Sequence, residues 1–201
     1  MNKVLGIDPG SLSWDFFALK DKQVVLDISI STQEVIEGPH KAISIIKSIG
    51  DLDLIVAPSG FGLPLKYVKD ITEKDIFLTL LKFDKKERDQ LVGLSEVLRL
   101  IKAENLPGII VPGVKHLPTI PRYRKINKID MGTADKLCTV VTGIRDQTDR
   151  LKIQPTKANF IMVELGFGFT AVLAIENGQV LMGLGGPTLW VLELVGASME
   201  N

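Results

Sequence analysis

Twice in this chain an apolar strand runs into a glycine-containing turn and is followed by two further strands. The first instance is VLGIDPGSLSWDFFALKDKQVVLDISI at residues 4–30, and the second is NFIMVELGFGFTAVLAIENGQVLMGLGGPT at residues 159–188. Short β-rich runs bounded by polar turns read as strands over 3–8, 14–20 and 23–30, with Lys20-Asp21-Lys22 as a tight turn. In the second stretch Asn177-Gly178 is a strong two-residue hairpin signal. The repetition predicts a duplicated, two-lobed architecture with a cleft between the lobes.

Residues 32–49 follow a helical spacing, interrupted at Gly38-Pro39, with Ala42, Ile43, Ile45, Ile46 and Ile49 on the apolar face. LDLIVAPSG at 52–60 is a fourth strand, and a loop follows it. Residues 84–104 form the clearest helix, with Asp84 as N-cap, Glu87 in the capping-box position and Leu91, Leu94, Val97, Leu98 and Ile101 as its stripe. Gly108–Val111 is a fifth strand. A basic, proline-containing segment, KHLPTIPRYRKINKIDMG, leads into a helix expected at 131–145. The order βββαβαβα, then βββ, predicts an α/β fold divided into residues 1–150 and 151–201.

With 45% hydrophobic residues the chain can bury a sizeable core. Lys+Arg and Asp+Glu both number 24, for a net charge of zero. That balance argues against a dedicated nucleic-acid binder and leaves a local basic patch open. A single cysteine, Cys138, excludes an internal disulfide framework, fits a reducing, cytoplasmic setting, and is expected to be a small buried apolar residue. The N-terminus enters a strand directly, without the succession of a signal peptide. The most apolar stretches, 159–175 and 178–197, are broken by Glu164, by Pro187 with its glycines, and by Glu193, so no membrane span is expected.

An aspartate at the edge of a core is costly unless something pairs with it. At the end of the first strand, Asp8 can hold Mg²⁺, while Gly10 allows close backbone approach and Ser11 supplies a hydroxyl, which together suit phosphate oxygens. A plain capped turn is the alternative. In the second stretch Gly166, Gly168 and Thr170 repeat the arrangement. Two such turns with Mg²⁺ would serve phosphoryl transfer, which rests mainly on positioning and charge neutralisation.

GIDPGS at 6–11 and VELGFGFTAVLAIENGQVLMG at 163–183 resemble the two phosphate-binding hairpins of the superfamily that unites actin, heat-shock chaperone ATPases, sugar kinases and acetate kinase. APSGFGLPL at 57–65 and IDMGTADKL at 129–137 resemble segments of archaeal butyrate-kinase-like proteins within it. The resemblance implies a complete ribonuclease H-like (actin-like ATPase) first lobe followed by the opening meander of a second. It implies ATP and Mg²⁺ as cofactors and transfer of a phosphoryl group to a small carboxylate. Asp8 takes the metal position, and Asp135, then Asp130, the role of base or substrate orienter.

In such a site Arg122 and Arg124 would neutralise the carboxylate or the phosphoryl group, with His116 nearby. Ser59, Gly60 and Gly62, at the carboxyl end of the fourth strand, are substrate-pocket candidates. The plainer alternatives are a solvated basic loop, and Asp130 as a helix cap beside an exposed Asp135–Lys136 pair.

The chain departs from the family pattern at Glu164, where butyrate kinases have histidine, and at Phe167, which interrupts the glycines. No adenosine-binding motif follows the second hairpin. The second lobe is therefore expected to be truncated, completed by a second copy or another partner, or unable to bind nucleotide. A degenerate member that binds a ligand without catalysis is the first alternative function. GIDPGS also resembles the first motif of Holliday-junction resolvases, but that metal-dependent chemistry calls for an acid at the end of the fourth strand, which here reads IVAPSG.

Overall fold

The computed structural model describes residues 2–80, 88–128, 130–165 and 170–186, and in the helix starting at Arg88 it describes side chains from Gly93 onward. Asp84 and Glu87, read as a helix start, lie outside the described residues, as do Gly166, Phe167 and Gly168. The chain divides into two compact units, Met1–Val111 and Pro112–Asn201. The division falls ahead of residue 150 because the helix before that point packs with the second meander.

The first unit is built on a six-stranded sheet. Strands β1 (Lys3–Pro9), β2 (Ser13–Lys20) and β3 (Gln23–Ser31) form the expected antiparallel meander, and β4 (Leu54–Val56) lies parallel on the other side of β1. After β5 (Lys66–Tyr67) the last strand, β6 (Gly108–Ile110), runs parallel to β4, and the order across the sheet is β3-β2-β1-β4-β6-β5. Leu5, Ile7, Phe16, Ala18 and Ile55 share one face, as their cross-strand partners require, and are buried.

Helices cover that face. Gly38-Pro39 splits the first helical stretch into α1 (Thr32–Glu37) and α2 (His40–Ser48), and both pack on α4 (Arg88–Ala103) through Val35, Ile46, Leu98 and Ile101. Each large apolar side chain buried here contributes roughly 1.5–3 kcal/mol. Ser31 caps α1 in a reciprocal box with Glu34, so the helix starts at Thr32, where the sequence places it.

A further helix, α3 (Glu73–Leu80), occupies part of what the sequence reads as a loop. Its start has the same chemistry: the Asp75 carboxylate accepts from the Thr72 N–H at 2.7 Å, and Asp75 N–H donates to the Thr72 hydroxyl at 3.2 Å. Lys66 donates to the same carboxylate, and with the Thr72 bonds it holds Asp75 down to about 2.

The second unit holds a short basic helix, α5 (Arg122–Lys125), a long helix, α6 (Ala134–Leu151), and the antiparallel sheet β7 (Phe160–Leu165), β8 (Thr170–Glu176) and β9 (Gln179–Gly185). Val114, Met131 and Val140 pack on Ala171, Leu173 and Ile175 of the central strand. Asn177 and Gly178 both take positive φ in the predicted hairpin turn. Cys138 is exposed rather than buried, because Lys136 and Val140 are the buried positions of that helix stretch. Among the described residues no helix is long and apolar enough to cross a membrane.

The two meanders share one strand register. Ile7 opposite Phe16 has its counterpart in Val163 opposite Val172, and Asp8 opposite Asp15 in Glu164 opposite Ala171. Even the β-bulge recurs, between Ala18 and Leu19 in one and between Ala174 and Ile175 in the other. The equivalence puts Asp8 and Glu164, the acids closing each first strand, at the same structural position.

Candidate functional site

In the first unit, parallel pairing of β1 and β4 brings two of the predicted segments to one edge of the sheet. Gly6 lies opposite Val56, so the Asp8-to-Ser11 turn and the Pro58-to-Gly62 turn both leave at the carboxyl ends of parallel strands, where ligands gather in open α/β sheets. The first turn is fixed by packing. A Cβ on Gly10 would come within 2.6 Å of the Ser13 carbonyl oxygen, and the Gly10 carbonyl accepts a 2.8 Å bond from the buried Thr32 hydroxyl. Close approach of backbone to backbone therefore requires glycine here.

Asp8 and Asp15 stand directly opposite each other on the face away from the helices, and the Ser13 and Ser29 hydroxyls both donate to Asp15. Two like charges across a strand pair destabilise a sheet. Ser59 is 8% exposed and its hydroxyl has no hydrogen-bond partner among the described residues. An unmet buried donor at the ligand edge of the sheet fits a group supplied by a bound molecule. Gly60 and Gly62 follow it, and the turn is pinned by the Phe61 N–H donating to the Thr79 carbonyl at 3.0 Å.

In the second unit the expected Asp135–Lys136 pair forms, but the lysine is buried rather than exposed, Glu164 joins it, and Asp130 lies near enough to feel the charges of both Asp135 and Lys136. The Lys136 ammonium, its side chain only 8% exposed, bonds to Asp135 at 2.7 Å and to Glu164 of β7. Desolvation opposes that charge, but the two carboxylates outweigh it and hold Lys136 above its ordinary value. The second oxygen of Glu164 is buried without a partner among the described residues. Thr133, the residue before α6, donates to Asp135.

Asp130 is not the helix cap. Residues 130–132 pass over β9, where Gly183, Gly185 and Gly186 leave room for them: a Cβ on Gly183 would overlap the Met131 carbonyl, and one on Gly185 would lie 2.9 Å from Asp130 Oδ1. The Asp130 carboxylate, 4% exposed, accepts from the Gly132 N–H at 2.7 Å. Burial first, then Asp135, raises its pKa against the pull of that N–H and of Lys136. A carboxyl so placed can hold or accept a proton nearer neutrality than an exposed one.

Among the described residues neither arginine forms an ion pair with this cluster. Arg124 Nη1 donates to the Leu181 carbonyl at 2.9 Å, and Arg122 is exposed. Thr170 opens β8 opposite Leu165 and is half-buried. The Lys136–Glu164 pair joins residues far apart in sequence. Its only sequence-level trace is a lone acid in an apolar strand.

Taken together, the sheet order, the duplicated meander and the α/β layering define an actin-like ATPase fold. The sequence matches the family of proteins of unknown function DUF1464 over residues 6–197, and the chain belongs to that family. Its structure is similar to acetate kinase from Entamoeba histolytica, with a TM-score of 0.59 and 15% identity over 94% of this chain and 56% of that one. It is also similar to a propionate kinase from Francisella tularensis subsp. tularensis SCHU S4, with a TM-score of 0.53 and 15% identity over 91% of this chain and 57% of that one. Porphyromonas gingivalis acetate kinase gives 0.52 and 14% over 91% and 57%. The chain thus spans a little over half the length of these kinases. Comparison with functionally curated proteins finds no sequence match.

Proposed function

We propose that this protein binds Mg-ATP and descends from, or acts as, a phosphotransferase whose acceptor is a small carboxylate of the acetate-to-butyrate type. The observation that carries the reading is the register-for-register repetition of the meander in a fold shared with acyl kinases, with an acid closing each first strand. In this reading the Gly10–Ser11 turn presents its backbone to phosphate oxygens, and the turn of Gly166, Gly168 and Thr170 does the same in its own unit. Ser59, with Gly60 and Gly62, lines the pocket for the ligand, and its unmet hydroxyl supplies the contact.

The residues present fit a magnesium ion. No group of three or more His, Cys, Asp or Glu is placed to hold a metal among the described residues, but Mg²⁺ is commonly bound through one or two carboxylates with phosphates completing the shell. Asp8, with Asp15 directly opposite, offers such a pair. The ion would supply charge neutralisation of the phosphates. Asp130, with its raised pKa, is the group suited to hold or accept a proton, and Lys136 keeps Asp135 and Glu164 in fixed orientation beside it.

The test is calorimetric titration of Mg-ATP into the chain. Binding is expected, and Asp8→Ala is expected to abolish it. A well-folded chain that takes up no nucleotide would overturn the proposal for this protein.

A further inference from the structure

Charge is balanced over the whole chain, but it is not evenly spread. Between Lys115 and Lys128 the sequence places Lys115, Arg122, Arg124, Lys125 and Lys128 and no acid. None of the ion pairs among the described residues involves any of the five. Three of them are held by backbone carbonyls instead: Lys115 donates to Lys128, Lys125 to Leu117 at 2.7 Å and Arg124 to Leu181 at 2.9 Å. A carbonyl fixes the head group without neutralising it, and leaves most of its N–H donors available.

His116 reports the same field. Its pKa is lowered by partial burial and then by the charges of Lys115 and Lys125, with no carboxylate of the described residues acting on it. Within this segment Tyr123 is 68% exposed, with the Arg124 guanidinium 5.8 Å from its ring centroid. Cations without acids favour a polyanion of any kind. An exposed ring among them favours a polyanion whose units also carry flat faces, since base–aromatic stacking adds to phosphate contacts and tolerates any sequence.

We infer that the 115–128 surface of the second unit binds single-stranded nucleic acid, with phosphates held by Arg122, Lys125 and Lys128 and a base stacked on Tyr123. This site is separate from the proposed nucleotide site at Asp8 and does not depend on it. The even charge of the whole chain conceals it, because the compensating acids lie in other segments.

Fluorescence anisotropy of the full chain with labelled oligouridylate and oligothymidylate of ~12 nucleotides, across a salt series, tests the inference. Saturable binding is expected at low salt, falling linearly as log affinity against log salt. In the double variant Arg122→Glu, Lys128→Glu the slope is expected to shrink by about 1.4, as two phosphate contacts are lost. Tyr123→Ala is expected to weaken binding about fivefold or more with the slope unchanged. Arg122 and Tyr123 are exposed, so an unchanged melting temperature confirms that the variants fold. No saturable binding at low salt overturns the inference. So does competition by polyglutamate as strong as by the strand, which would make the partner an acidic protein segment, and so does displacement by free ATP at equal phosphate concentration.

Discussion

The two meanders share a register and differ in which face they bury. In the first, Leu5 and Ile7 lie under the helices and are closed to solvent, while Asp8 and Phe17 are exposed. Their counterparts reverse this: Ile161, Val163 and Leu165 are 72%, 58% and 79% exposed, and the opposite face, with Leu173 and Ile175, carries the core. One backbone plan therefore supports two cores on opposite sides, because a strand offers two faces of period two and packing decides which is closed. Among the described residues this leaves an apolar face open on β7, and we propose that a second copy or another partner covers it.

The sharpest way to break that comparison is to truncate equivalent residues. Leu5→Ala is expected to cost about 2–5 kcal/mol in chemical denaturation, the loss of a fully buried side chain plus the cavity it leaves. Ile161→Ala, at the same position of the second meander, is expected to fall within about 0.5 kcal/mol of wild type in the monomer. Equal losses at the two positions would mean that the face of β7 is covered in solution.

A second effect separates the two acids that close the first strands. Asp8 faces the open side of its sheet, whereas Glu164 shares the buried Lys136 with Asp135. Lys136→Met leaves two carboxylates facing each other without their cation, and a loss of about 3 kcal/mol is expected at neutral pH. The folded state raises the pKa of Lys136, so the stability it contributes is complete below the ordinary lysine value and is lost only as pH rises through the raised one. Denaturation of wild type and variant at pH 7 and in strongly alkaline buffer measures this. A constant difference across that range would show that the lysine acts by packing rather than by charge.

What the sequence discloses about these regions follows from how local each signal is. The meanders, the Asn177-Gly178 turn and the helix break at Gly38-Pro39 rest on neighbours a few residues apart, and the structure has all of them. The Thr72–Asp75 box was equally local, but the apolar stripe after it was too short to support a helix by periodicity alone. The Lys136–Glu164 bond is tertiary and leaves no spacing to read. Asp130 looked like a cap because it precedes a helix. Only the path of residues 130–132 over the glycines of β9 shows that its carboxylate turns back to the Gly132 N–H. The Asp135–Lys136 pair was legible from adjacency, but read as exposed; its burial, and the reach of Lys136 to Glu164, come from the packing of the second meander.

The smallest of the expected effects concerns Asp130 itself, which lies outside both meanders. Burial raises its pKa, so the folded chain keeps this proton at pH values where the unfolded chain has released it. Stability therefore declines as pH climbs from the ordinary carboxylate value through the raised one, and the cost persists at neutrality. Asp130→Asn removes the charge while keeping an acceptor for the Gly132 N–H, so the variant should melt higher than wild type at pH 7. Below the ordinary carboxylate range both states of wild type are protonated, and the gain should vanish. Melting curves of the two proteins across that interval decide the matter. A gain that persists in acid would trace to packing against Gly185 and Gly186. A loss at pH 7 would mean that Lys136 stabilises the carboxylate more than burial penalises it, and Asp130 would then be unsuited to carry a proton.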